Sequence, residues 1–160
     1  MKTTDLCDQY SDQIRVAESI GFKNFGGRHE FHGQIETVKC YEDNSFVRAT
    51  LERDGSGRVL VVDGGGSTRC ALLGDNIAEL AQQNKWNGIV IYGSIRDSVA
   101  VSKVEIGVLA LGTNPKKSAK NNEGSMSISL HFAGVNFFPG EFVYIDEDGM
   151  ILSAGDLISP

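Results

Sequence analysis

The chain has 160 residues, 41% of them apolar and 22% charged, which suits one core in a single domain spanning 1–160 and is short of two. Fifteen Lys and Arg face 21 Asp and Glu, a net charge of −6, which argues against direct nucleic-acid binding; the densest basic cluster is Lys116, Lys117 and Lys120. Glycine is the outlying count, 19 residues or about 12% against a usual ~7%, with neither the collagen period nor the proline richness of a linker.

Residues 4–10 read as a short helix, with Thr3 or Thr4 as cap and Asp5 in its first turn. Residues 1–13 carry Asp5, Asp8 and Asp12 and lack the apolar core of a signal peptide. Residues 33–40 alternate like a strand. Asn44 is placed to cap a helix over 46–53, closed by Gly55 and Gly57. Residues 58–63 contain Val59-Leu60-Val61-Val62, a short apolar run that suits a strand buried on both faces.

Asp63-Gly64-Gly65-Gly66 follows, and Gly74-Asp75-Asn76 opens a helix over 77–84 with Ile77, Leu80 and Ala81 on one face. Gly88 starts a second buried strand over 89–92. Gly93-Ser94-Ile95-Arg96-Asp97 then reads as a turn before a short helix and a third strand over 107–111. This βαβαβ alternation predicts parallel pairing in an α/β domain. Residues 116–125 read as a mobile polar loop. Residues 127–137 and 141–145 are β-rich, and the turn Asp146-Glu147-Asp148-Gly149 leads to a hairpin partner over 150–154, so the C-terminal part is antiparallel.

Several familiar motifs fail. The glycine run at 64–66 stands where a dinucleotide loop would, but the third glycine of G-x-G-x-x-G is Arg69, and there is no P-loop. A cofactor ribose bound beyond that run would want an acidic residue at the end of the next strand, and none ends 89–92. His29-Glu30-Phe31-His32 misses H-E-x-x-H because position 33 is glycine, so the two histidines read as a surface or interface feature. His131 reads as a partly buried sheet residue. No serine sits in G-x-S-x-G. Cys7, Cys40 and Cys70 are odd in number and far apart, which excludes a disulfide framework and fits a reducing cytoplasm. No apolar run approaches the length of a membrane span.

What remains is a constellation at two strand ends. Gly74, Asp75, Asn76 and Ile77 open a helix after one strand, and Arg96 and Asp97 follow the next. Ligands of parallel sheets bind beyond the carboxyl ends of strands, and a helix N-terminus suits a carboxylate. Arg96 offers a planar fork for an oxyanion, and Asp97 a hard oxygen ligand for Mg²⁺ or Mn²⁺. The same residues also fit a capping Asp75 and a surface Arg96–Asp97 pair in a turn. Gly64, Gly65, Gly66, Gly74 and Gly93 fall beside this edge, whereas Gly55, Gly57 and Gly149 read as turn residues.

Asp75, twenty intervening residues and then Arg96-Asp97 match the pattern D-X20-R-D. Asn24-Phe25-Gly26-Gly27-Arg28, Val61-Val62-Asp63-Gly64-Gly65-Gly66 and Val90-Ile91-Tyr92-Gly93 extend the match along nearly the whole chain. On these residues the chain resembles the RraA-like family, which includes class II 4-hydroxy-4-methyl-2-oxoglutarate aldolases and the regulator of ribonuclease E. The resemblance implies a swivelling α/β/β sandwich assembled as a homotrimer with sites at subunit boundaries. It implies that backbone N–H groups of Gly74 to Ile77 hold the carboxylate of a small 2-keto acid. Arg96 would meet the keto or enolate oxygen, Asp97 would ligate a divalent metal, and Asp75 would hold a metal-bound water.

The activity so implied is that of a metal-dependent lyase on 2-keto acids, with oxaloacetate decarboxylation included. The alternative is a protein inhibitor binding ribonuclease E, and the two roles can share one molecule. Aldolase members are typically longer and supply a further carboxylate from a neighbouring subunit. With this chain ending at Pro160, decarboxylation or regulation is expected over aldol cleavage.

Overall fold

The structure is a computed structural model that describes residues 1–159; Pro160, on which the length expectation turns, lies outside them. The elements in chain order are α1 (Thr3–Gln9), β1 (Ile14–Val16), β2 (Lys23–Asn24), β3 (Phe31–Lys39), α2 (Ser45–Leu51), β4 (Arg58–Asp63), α3 (Asp75–Gln83), β5 (Gly88–Ile95), α4 (Ser98–Val101), β6 (Gly107–Thr113), β7 (Ser125–Met126), β8 (Leu130–Phe132), β9 (Val135–Phe137), β10 (Phe142–Asp146) and β11 (Gly149–Ser153).

β3, β4, β5 and β6 lie side by side in parallel, with α2, α3 and α4 in the crossovers. The expected βαβαβ centre is therefore present and gains a further βα unit at its start. β10 and β11 form the expected hairpin, and β10 joins β3 antiparallel. The short β1 and β2, which offer too few residues for any periodicity, pair with β11 and β6 at the two ends of the order β1-β11-β10-β3-β4-β5-β6-β2. A flat sheet of these strands would hold β1 and β2 about 34 Å apart, and the six residues between them, seven Cα–Cα steps, reach about 25 Å at most. The sheet must therefore curl. The link over 17–22 crosses its concave side, where Ala17 and Phe22 pack on the core.

Strand alternation gives the parallel strands a core on each face, and a small third cluster of Leu6, Tyr144 and Ile151 joins α1 to β10 and β11. Leu60, Val62, Ile89 and Ile91 face α2 and α3, meeting Val47, Leu51, Ile77, Ala78 and Ala81. Val59, Val61 and Val90 face the curled side, with Phe137, Val143, Ile145 and Leu152. All four apolar residues of β4 are fully buried, as a two-faced strand requires; each is worth about 1.5–3 kcal/mol of transfer energy.

Some local expectations give way to tertiary contacts. Neither threonine caps α1: Lys2 is the N-cap, and Thr3 donates its N–H and hydroxyl to Asp146 at 2.8 and 2.7 Å, tying the helix to the β10–β11 turn. Asn44 is the N-cap of α2 but gives no side-chain cap. Its Nδ2 donates to the Leu72 carbonyl at 3.3 Å, and Asp43 Oδ1 accepts the Ser45 N–H at 2.9 Å. α3 begins at Asp75 and buries Ala78, leaving Leu80 half-buried. β5 continues to Ile95 through a register shift between Ile91 and Ser94, so Gly93 lies within a strand and not in a turn. Gly55 makes room for the Trp86 indole, which a Cβ there would strike.

The loop over 116–125 is pinned where mobility is expected. Ala71 N–H donates to the Lys116 carbonyl at 2.8 Å, Ala119 N–H to the Glu42 carbonyl at 2.9 Å, and Asn121 N–H to Asp43 Oδ2 at 2.6 Å. His131 lies in β8 but is exposed, with Nδ1 2.8 Å from Asn136 Oδ1 across the hairpin. His29 is a surface residue 3.6 Å from Glu147, and His32 stacks on Tyr144. The three cysteines are free thiols. Among the described residues no helix is long and apolar enough to cross a membrane.

Candidate active site

The ends of β4 and β5 deliver the predicted residues to one cleft of about 100 Å³, lined by Gly74, Asp75, Asn76, Ile77, Arg96 and Asp97. The long excursion from Asp63 to Gly74 returns to β5 through two backbone bonds. Leu72 N–H donates to the Ser94 carbonyl, and Arg96 N–H to the Leu73 carbonyl, both at 2.9 Å. This pairing sets the start of α3 against the end of β5 and explains why Asp75 and Arg96, with twenty residues between them, converge.

Asp97 holds a left-handed backbone, φ +56°, an uncommon conformation that aspartate tolerates better than most residues. Its Oδ2 accepts the Asp75 N–H at 3.3 Å. Asp75 Oδ1 accepts the Asn76 N–H at 2.8 Å. Two of the backbone donors expected to hold a substrate carboxylate are thus engaged within the site. Ile77, also in the first turn, has no carbonyl one turn earlier within the helix and keeps its N–H free of the ladder. Arg96 is half-buried and makes no ion pair among the described residues.

Sequence reasoning missed the opposite wall. Asn44 and Arg48 of the α2 region and Lys117, Ser118 and Lys120 of the pinned loop line the same cleft. The basic cluster at 116–120 was the readable signal, but its pairing with Asp43 and Ala71 lies far away in sequence. With Arg96, the cleft gathers four cationic side chains against Asp75 and Asp97, on a chain whose net charge is −6. The cleft is a local concentration of positive charge on an acidic protein. A larger cavity of about 270 Å³ lies elsewhere, beside the β10–β11 turn, and Glu18, Asp146, Glu147 and Asp148 make it unsuitable for an acid.

The donor set suits a hard divalent cation. Asp97 is exposed, and hydrogen bonds among the described residues engage only its Oδ2. Mg²⁺ binds through one or two carboxylates and keeps water or substrate oxygens on its other positions, which Asp97 with Asp75 nearby can provide. No group of three or more His, Cys, Asp or Glu side chains forms a metal cage among the described residues.

The glycine run does not form a cofactor loop. Gly65, at φ +67°, lies under Tyr41, where a Cβ would stand 2.7 Å from the ring; Gly66 lies under Tyr92. No helix begins until Asp75. Because β5 runs to Ile95, an acidic residue, Asp97, does follow the next strand, but it faces Gly74 and not the glycine run.

The sequence model of the family described as RraA-like, Aldolase/RraA, matches residues 3–152. The chain belongs to the RraA-like family. A protein of Alkalilimnicola ehrlichii named "Putative 4-hydroxy-4-methyl-2-oxoglutarate aldolase" is 50% identical over 156 residues, 98% of this chain and 96% of its own. A solved structure described as an S-adenosylmethionine: 2-dimethylmenaquinone methyltransferase from Geobacillus kaustophilus HTA426 superposes with a TM-score of 0.97 at 46% identity, covering 100% of this chain and 99% of that one. The RNA-processing inhibitor RraA from Thermus thermophilis superposes at 0.93 and 43% identity, covering 99% and 97%. The expected family and α/β fold are thereby borne out. The RraA-like family includes proteins named as aldolases and as inhibitors of RNA processing, and this chain matches both along its length.

Proposed function

We propose that the cleft is the active site of a divalent-metal-dependent lyase that cleaves the C3–C4 bond of small 2-keto acids, oxaloacetate among them. The observation that carries this reading is the convergence of Arg96, Asp97 and the start of α3 in one cleft of positive character. Length does not separate this chain from relatives bearing the aldolase name, since it covers 96% of one of them. Aldol cleavage of 4-hydroxy-4-methyl-2-oxoglutarate therefore stands beside decarboxylation.

Asp97, with Asp75 beside it, would hold Mg²⁺ or Mn²⁺, which supplies Lewis acidity toward the keto oxygen when bound. The Ile77 N–H and the positive end of α3 receive the substrate carboxylate. Lys117 and Lys120, on the opposite wall, would attract a dianionic substrate into the cleft. As the C3–C4 bond breaks, the C4 fragment leaves as CO₂ from oxaloacetate, or as a second pyruvate from the 4-hydroxy acid once its hydroxyl proton is taken; the bonding pair passes to a pyruvate enolate, and Arg96 places fixed positive charge where that oxygen develops. Asp75 is positioned to take or return a proton through water.

Val99 is 72% exposed two residues beyond Asp97, and a homotrimer with the cleft at its subunit boundary would cover it. The test is pyruvate release from oxaloacetate, with and without chelator, in the wild-type chain and in Asp97→Ala. Chelator and substitution should each abolish it, and activity that survives both excludes the reading.

A second reading rests on the 43% identity to the RNA-processing inhibitor. An acidic surface of this chain would meet basic segments of ribonuclease E. Retention of that ribonuclease on immobilised protein at low salt, lost at high salt, supports it; no retention removes it.

A further inference from the structure

A second row of chemistry stands on the opposite face of the sheet. Lys39 and Asp63, the last residues of β3 and β4, and Tyr92 within β5 are successive register partners. Register partners on neighbouring strands point to one face, and alternation with Ile35, Val61 and Val90 puts all three on the curled side. They line a cavity of about 480 Å³ together with Tyr41. It shares no lining residue with the Arg96 cleft.

Asp63 is the unusual member, only 9% exposed. Its Oδ1 accepts the Gly65 N–H at 2.9 Å, and no hydrogen bond or ion pair among the described residues engages Oδ2. Oδ2 is therefore a free acceptor reached from the cavity. Lys39, one strand away, is exposed and forms no ion pair with it. The walls are aromatic, Tyr92 half-buried and Tyr41 57% exposed. Tyr92 stacks on Phe132 with centroids 4.9 Å apart, and Tyr41 lies on Gly65, whose lack of a side chain lets the ring approach. A lone anion in this cavity would meet Asp63, and a lone cation would meet Lys39. A ligand carrying both charges one carbon apart satisfies both.

We propose that this cavity binds a free α-amino acid with an apolar side chain. Its ammonium donates to Asp63 Oδ2, its carboxylate accepts from Lys39 Nζ, and its side chain lies between Tyr41 and Tyr92. The site is separate from the proposed lyase cleft and does not depend on that reading.

The test is titration of the ¹⁵N-labelled full chain with L-phenylalanine. Saturable shifts are expected at the Asp63, Gly65 and Gly66 amides. Phenethylamine lacks the carboxylate and 3-phenylpropionate lacks the ammonium, and each should bind about tenfold more weakly or worse. Asp63→Asn, which keeps an acceptor for the Gly65 N–H, and Lys39→Met should each weaken L-phenylalanine by a similar factor. Absence of saturable shifts overturns the proposal, as does equal binding of either analogue. If Asp63→Asn does not fold, Lys39→Met decides: it should abolish the preference for L-phenylalanine over phenethylamine, and an unchanged preference overturns the site.

Discussion

Asp97 leans over Gly74 so closely that a Cβ on the glycine would stand 2.6 Å from Oδ2. The backbone of Gly74, at φ −134° and ψ −164°, is extended and open to any residue. What the position requires is the missing side chain. Gly74→Ala should fold with a melting temperature near that of the wild type, because the displaced atom is the end of an exposed side chain. The shifted carboxylate should raise the half-saturating Mn²⁺ concentration and lower kcat/KM for oxaloacetate by about tenfold or more, since small misplacements are costly in a site. Metal titrations of activity on both proteins check this, and an unchanged Mn²⁺ dependence removes Asp97 from the metal site.

Arg96 separates binding from catalysis. If its guanidinium meets the developing enolate, Arg96→Ala should lower kcat by about 10²–10³ with little change in KM. Arg96→Lys keeps the charge and loses the planar fork, and should fall between. A rise in KM at constant kcat would instead assign Arg96 to uniform substrate binding.

The sequence made one half of this site legible and hid the other. Gly74 to Ile77, Arg96 and Asp97 stand at strand ends, which alternation and glycine punctuation locate directly. β4 is bounded correctly because Val59 to Val62 leave no other reading. Lys117 and Lys120 stand out in the sequence as a basic cluster but not as site residues, because their place depends on Asp43 and Ala71 holding a loop more than forty residues away. β1 and β2 carry too few residues for any period, and Gly93 looked like a turn because the shift in β5 register leaves no mark on composition.

Asp43 is the clamp of that hidden wall. It is 1% exposed, and its two oxygens accept the N–H groups of Ser45 at 2.9 Å and Asn121 at 2.6 Å. Burial pushes its pKa up, but these hydrogen bonds outweigh burial and hold it below the usual aspartate value. Asp43→Ala leaves two donors without acceptors and should cost about 2–3 kcal/mol in urea unfolding. It should also raise KM for oxaloacetate more than it lowers kcat, because Lys117 and Lys120 lose their register over the cleft. Equal kinetics in a destabilised variant would show that the loop serves stability alone.

Glu42 gives the chain a pH signature beside the same loop. Arg69 donates to both its oxygens at 2.7 Å and Ser67 Oγ to one at 2.6 Å, which holds the carboxyl down at about 2 against an ordinary 4.5. The folded chain therefore releases this proton more readily than the unfolded chain. The stabilisation is fully present above the ordinary glutamate value and drains as pH falls toward about 2. Arg69 is 70% exposed, so the effect is small and screened by salt. Urea midpoints of wild type and Glu42→Gln, compared at low salt from neutral pH downward, should differ at neutral pH, draw together below about pH 4.5 and meet only toward pH 2. High salt should shrink the difference at neutral pH. A difference independent of both pH and salt would mean that Glu42 acts by packing and not by charge.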